Sequence, residues 1–368
     1  MATHEPTSGK SPPFNKGTAS AKVHGNPKDS MKSTWRREDR SRWSIFHWIF
    51  EVLDIHPTHL DKAIPVHRKD VKVPHMAEWS LHRWIILHAA VPIILQQAYI
   101  TWSGNNFTTL QALLLYSLTF NLSGIHELHI FRRQGHEMGF LDGDVHERDG
   151  VPDSGVRKVI ISLFSTSSIR SILIIFLAYN VDHAPKDAHW YWLPVETGAY
   201  LVVLDFWFYW YHRLMHEVPV LWKYHRTHHL TKHPNALLTL YADSEQEFFD
   251  ILGIPLLTYL SLKGIGLPMG FYEWWICHQY ITFTELAGHS GLRLHSYTPT
   301  ILSPLLRWSR CELIIEDHDL HHRKGWKSSG NYGKQTRIWD RAFGTCKDRI
   351  ECVEDNIDWE NSVVMPLF

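Results

Sequence analysis

Several runs of this chain stay apolar for so long that a water-soluble fold has few ways to house them. In order they cover about residues 81–102, 108–130, 159–179, 190–211, 251–267 and 271–288. A helix needs about 20 apolar residues to cross the hydrocarbon core of a bilayer. The first, second and fourth runs reach that length. The third is marginal and carries Arg170. The fifth is short and broken by Gly and Pro, so the last two read as a shallow or re-entrant hairpin. The expected fold is all-α: an integral-membrane helical bundle of about four spanning helices plus a short hairpin, topped by a cytosolic His-rich helical cap. A soluble helical protein with buried core helices is the alternative, and the length of the uninterrupted runs argues against it.

Charge orients the bundle. With the runs paired as hairpins, the segment 131–158 falls on one side with Arg132, Arg133, Arg148, Arg157 and Lys158. The opposite side receives short links, 103–107 and 181–189, in which Lys186 is the sole Lys or Arg. The positive-inside rule then places the large segments in the cytosol. The formal net charge of -1 gives no footprint for nucleic acid. Mean hydropathy, -0.22, is an average over polar segments and strongly apolar ones. The expected organisation is a disordered tail over 1–42, an interfacial segment over 43–80, transmembrane helices over 81–199, a His-rich domain over 200–345 and a C-terminal tail over 346–368. Four cysteines without a Cys-x2-Cys pair suit a reducing compartment.

The chain contains 27 histidines, and their spacing matters more than their number. Three clusters stand at the ends of apolar runs: His212-Arg-Leu-Met-His216, His225-Arg-Thr-His228-His229 and His318-Asp-Leu-His321-His322. Residues three or four apart project from one face of a helix, so each cluster is able to aim two or three imidazoles at one point. Together they offer eight nitrogen ligands, enough for two metal ions. Imidazole serves iron, zinc, copper and nickel alike, so ligand type alone leaves the metal open. A zinc peptidase needs a Glu beside the first His as general base, and Arg213 stands there instead. There is no glycine-rich phosphate loop or dinucleotide fingerprint, so electrons from a nicotinamide would have to arrive through a partner. A His-rich metal transporter or sensor would want a polar path through several spans. Only Asp205 and Arg170 are obvious candidates for one.

The stretches DFWFYWYHRLMH, WKYHRTHH, ELAGHSG and DHDLHH, followed by NYG and IWDRAFGT, resemble the fatty acid hydroxylase/sterol desaturase superfamily over about residues 200–345. The resemblance implies two non-haem iron ions that use O2 and two electrons to hydroxylate or desaturate an apolar substrate: a sterol, sphingolipid, fatty acyl chain, terpenoid or polyketide. It implies iron ligation by His212, His216, His225, His228, His229, His318, His321 and His322, with His289 as a further ligand and His278 and His295 as weaker candidates. It implies cytochrome b5 and its NAD(P)H-dependent reductase as partners, and a multi-pass location in the endoplasmic reticulum membrane with the histidines facing the cytosol. Metal-bound His commonly donates its other N–H to a carboxylate. Asp205, and Asp317 and Asp319 beside His318, are the carboxylates expected in that role, Asp205 and Asp319 being the catalytic choices. Phe206, Phe208, Trp222 and Trp275 are candidates to line a substrate channel.

Overall fold

Helices form where the apolar runs lie, and they run on past them. The computed structural model describes residues 29–143 and 148–368. It orders them as α1 (Ile45–Leu53), β1 (Val73–Met76), α2 (Glu78–Ser103), α3 (Thr109–Met138), α4 (Val156–Ala178), α5 (Leu193–Glu217), α6 (Pro219–His225), α7 (Ser244–Phe248), a π turn (Phe249–Gly253), α8 (Ile254–Gly264), α9 (Phe271–His289), α10 (Ser303–Trp308), α11 (Ile315–Lys324), α12 (Ile338–Phe343) and β2 (Ile357–Val363). Local chemistry sets the hairpin between α2 and α3. Gly104 takes a left-handed φ of 72° at the end of α2. Thr108 then opens α3 by a reciprocal exchange of hydrogen bonds with Gln111.

α9 is the axis around which α2, α3, α4 and α5 assemble. Trp274 and Trp275 on it are fully buried, and the Trp275 indole N–H donates to the Ala89 carbonyl at 2.9 Å. The sixth apolar run is thus a central helix, where a shallow hairpin was expected. On α3, Leu110, Leu114, Leu118 and Leu122 form an exposed row at four-residue spacing, while Ala112, Tyr116 and Phe120 face inward.

Two helices among the described residues, α2 and α4, combine the length and apolarity needed to cross a bilayer. The run that looked marginal, now α4, is the more apolar of the pair, with hydropathy 2.0 against 1.4 for α2. Its charge does not disqualify it, because Arg170 turns inward and meets Glu285 at 2.6 Å.

Three expectations need amending. The fold is mostly helical but not purely so: β1 pairs in parallel with β2, joining segments from opposite ends of the chain. Residues 1–28 of the expected disordered tail lie outside the described residues. Within the remainder, Trp35 is buried and its indole N–H donates to the Val151 carbonyl at 3.1 Å. The segment 346–368 likewise packs as part of the body. Its backbone N–H groups at Ile350, Glu351 and Cys352 all donate to the Glu316 carboxylate, and Met365 is fully buried.

Candidate metal centre

α5 ends in the first His cluster, which puts His212 and His216 one turn apart on its inner face. α6 ends at His225, and a tight turn follows that carries His228 and His229. α11 carries His318, His321 and His322, and α9 ends at His289. All nine are buried.

They do not gather cluster by cluster. One group comprises His212, His216, His225, His229 and His321; the other comprises His228, His289, His318 and His322. Within each group the ligand atoms lie within 4.8 Å of one another. The second and third sequence clusters are therefore each divided between two centres. On α11, His318 and His322 reach one group and His321 the other, so one helix serves both groups. His278 and His295 belong to neither. The Nε2 of His278 lies 3.3 Å from the Tyr200 hydroxyl, and His295 packs against Tyr297 and Trp359.

The rings are oriented by backbone carbonyls. Nδ1 of His212 sits 2.8 Å from the Tyr332 oxygen, Nδ1 of His216 2.8 Å from that of Trp326, and Nδ1 of His321 2.6 Å from that of Gly330. In the other group, His289 meets the Glu285 carbonyl at 2.7 Å and His322 meets that of Thr231 at 3.0 Å. A carbonyl only accepts, so each of these Nδ1 atoms carries the proton and each Nε2 keeps a lone pair. Those lone pairs converge. Nε2 separations are 3.0 Å for His212–His225, His225–His229, His229–His321 and His289–His318, and 3.1 Å for His228–His289. The Nε2 atoms of His216 and His322 are buried with no hydrogen-bond partner. Converging lone pairs in a dry interior repel unless a cation lies among them, so the donor set fits metal ions.

Burial and the neighbouring imidazoles hold the cluster neutral. His225, His229, His318, His321 and His322 are pushed well below the ordinary His range, and burial drives His228 down to about 3. Neutral imidazole is the ligating form.

Neither expected carboxylate touches a ring. Asp205 accepts the backbone N–H groups of Lys334, Gln335 and Thr336 at 2.8, 2.9 and 3.2 Å and the Thr336 hydroxyl at 2.6 Å. It therefore acts on the loop whose carbonyls receive His212, His216 and His321. Asp340 does the same from the other side, accepting the N–H groups of Tyr332 and Gly333 at 2.8 and 2.7 Å. Gly333 lies between the two acids, where a Cβ would stand 2.3 Å from the Thr336 carbonyl. Asn331 adopts φ 48°, and its amide reaches the Asp317 carbonyl at 2.8 Å. Asp319 pairs with Arg148 at 2.5 Å and Arg323 at 2.7 Å, and Asp317 pairs with Arg349 at 2.8 Å. Asp340 and the 326–332 loop were missed as site elements, because no spacing rule links a loop carbonyl to a ring, whether nine residues away, as for Gly330 and His321, or 120 away, as for Tyr332 and His212.

A cavity opens against both groups, reaching His212, His225, His228, His289 and His318. Its wall includes Phe208, Leu240 and Ile251, and a buried ionic bridge in which Glu285 joins Arg170 at 2.6 Å to Lys334 at 2.8 Å. Of the aromatics expected in a channel, Phe208 lines this space. Trp222 stacks on Trp326 beside His216, Trp275 packs against Tyr116, and Phe206 packs against Trp339.

The family model described as fatty acid hydroxylase matches residues 197–345. The chain is 43% identical over 316 residues to the fatty acid hydroxylase vlmA of Lecanicillium sp, covering 82% of this chain and 86% of that one. It is 29% identical to the human alkylglycerol monooxygenase over 52% of this chain and 39% of the relative. It is 28% identical to the rice very-long-chain aldehyde decarbonylase GL1-11 over 67% of this chain and 91% of the relative. No solved structure matches. These residues, and a relative aligned along most of both chains, make this protein a member of the fatty acid hydroxylase family.

Proposed function

We propose that this protein is a membrane-bound di-iron oxygenase that uses O2 and two electrons to hydroxylate or desaturate an apolar, lipid-like substrate. The observation that carries the reading is the partition of nine buried imidazoles into groups of five and four with Nε2 pairs at 3.0–3.1 Å. Five imidazoles in one group exceed what a closed tetrahedral zinc site accepts. Iron with open positions is the natural occupant for a family of oxygenases.

When bound, the iron pair supplies O2 activation for attack on an unactivated C–H bond. The chain supplies the rest. His212, His216, His225, His229 and His321 would hold one ion, and His228, His289, His318 and His322 the other. The 326–332 carbonyls fix the tautomers, with Asp205 and Asp340 as positioning residues. The apolar part of the cavity wall, Phe208, Leu240 and Ile251, would present one carbon to the metals. Cytochrome b5 with its NAD(P)H-dependent reductase would deliver electrons from the cytosol. The setting would be the endoplasmic reticulum membrane, crossed by about four of the long helices α2–α5. Sterols, sphingolipids, fatty acyl chains and terpenoid or polyketide chains are the candidate substrates, and the relatives' names favour lipid chains.

The test is metal content. Protein purified in detergent from iron-supplemented cells should hold about two iron ions per chain, and a His228→Ala/His321→Ala variant, which removes one donor from each group, should lose them. No stoichiometric metal in the wild type, or equal metal in the variant, overturns the reading.

A further inference from the structure

Beside the cavity that meets the histidines lies a second, smaller space between α3, α4 and α9, and Thr166 and Leu240 line both. Gly124 and Leu128 on α3, Leu163 on α4 and Leu286 on α9 form its walls. Most of the polar groups that border it are engaged with the protein. The Ser167 hydroxyl meets Asn121 Oδ1 at 2.9 Å, the Asn121 amide donates to the Ser117 carbonyl at 2.8 Å, and Thr282 meets Arg170 at 3.5 Å. Such a space has little to offer a polar ligand and suits methylene groups.

Gly124 makes the room. It sits in the interior of a 30-residue helix, one turn from both Phe120 and Leu128. A glycine there gives up about 1 kcal/mol of helix stability relative to alanine. A Cβ built on it meets nothing within 4 Å, so no packing demand requires the glycine.

We propose that this slot is the subsite for the methyl end of a linear alkyl or acyl chain, and that its depth below the metals selects which carbon is oxidised. The inference rests on the oxygenase reading above for its reaction and deepens it by naming the substrate class. A chain threaded past Thr166 and Leu240 has its tail in the slot and a mid-chain carbon beside the histidines. A fused-ring substrate would not enter. Filling the slot forces the chain outward, so the carbon left beside the metals lies nearer the methyl end.

The experiment uses iron-loaded, detergent-purified full-length protein with a cognate electron donor, and saturated fatty acids from laurate to stearate as probes. Gly124→Leu should move the oxidised carbon toward the methyl end and lower kcat/KM for stearate roughly tenfold relative to laurate, with iron content unchanged. Gly124→Ala, which adds a single methyl group to the same space, should shift position and chain-length preference in the same direction by less. Unaltered position and chain-length preference in Gly124→Leu, or an equal loss for every chain, overturns the proposal. A separate arm needs no turnover: a long-chain fatty acid with a terminal diazirine, photolysed on the protein and mapped by mass spectrometry. Label on residues 120–128 or 163–167, abolished by Gly124→Leu, supports the slot even if no fatty acid is oxidised. In that case the oxygenase reading alone would fail. Label elsewhere overturns the slot whatever the activity.

Discussion

Arg148 and Asp319 are 171 residues apart in sequence and 2.5 Å apart in space, with side chains that are almost completely buried. Asp319 stands on α11 between His318 and His321. The ion pair fixes the rotation of that helix about its axis, which sends His318 and His322 to one group of imidazoles and His321 to the other. Arg148 also donates to the Pro234 carbonyl at 3.2 Å, tying the segment after the second His cluster to the same point.

Removing Arg148 leaves the buried Asp319 carboxylate with Arg323 as its remaining partner, at a cost below the about 3–5 kcal/mol of a wholly unpaired buried charge. Arg148→Ala is expected to lower the unfolding midpoint in detergent and to deplete metal from both groups. Arg148→Met/Asp319→Leu, which removes both charges, should recover much of the stability. Thermal unfolding with metal analysis on the three proteins checks this.

Asp205 accepts four hydrogen bonds from the 334–336 segment and none from a ring. Hydrogen bonds to a charged acceptor contribute about 1.5–3 kcal/mol each, so Asp205→Ala should destabilise the protein strongly. Asp205→Asn loses the charge and cannot accept on both sides. It should loosen the carbonyls behind His212, His216 and His321 while sparing the other group. The expected metal analysis is loss of one ion and retention of the other.

Gly333 has no room for a methyl group, since its Cβ would meet the Thr336 carbonyl and the Asp340 carboxylate. Overpacking of this kind costs about 1–3 kcal/mol. Gly333→Ala should mimic Asp205→Asn in metal content. A normal metal complement in Gly333→Ala would show that the loop tolerates displacement without losing the rings.

His295 lies outside both groups and offers a clean pH test. Burial, and secondarily the Arg349 guanidinium, push it down to about 3. A base whose folded pKa is depressed is neutral in the native state while the unfolded chain takes up a proton. Its contribution is therefore intact above about pH 6.5 and is lost as pH falls toward about 3. Wild type should lose roughly 2 kcal/mol more stability than His295→Asn between about pH 7 and pH 5. Denaturant unfolding of the two proteins at both pH values measures the difference. Parallel loss in both would mean that His295 is not held neutral.

The helices and the histidines that come together were readable because each rests on local rules. A long apolar run has to be helical in lipid, and imidazoles three or four residues apart share a helix face. Other features were not readable because they depend on pairing across the chain. Arg170 looked like a defect in a spanning helix until Glu285 and Lys334 met it. The terminal segment looked like a tail until β2 found β1. Asp205 looked like a ring partner, and its position in an apolar run did call for a partner, but the partner was a row of backbone N–H groups.

By itself the sequence determined the chemistry available: long apolar helices, nine histidines at their ends and an excess of imidazole that calls for metal. Only the tertiary structure decided how that chemistry is divided. Periodicity states which residues share a face and is silent on what that face meets. The split of each later His cluster between two groups, the carbonyls that set the tautomers of His212, His216, His289, His321 and His322, and the space left at Gly124 arise where helices distant in sequence pack together.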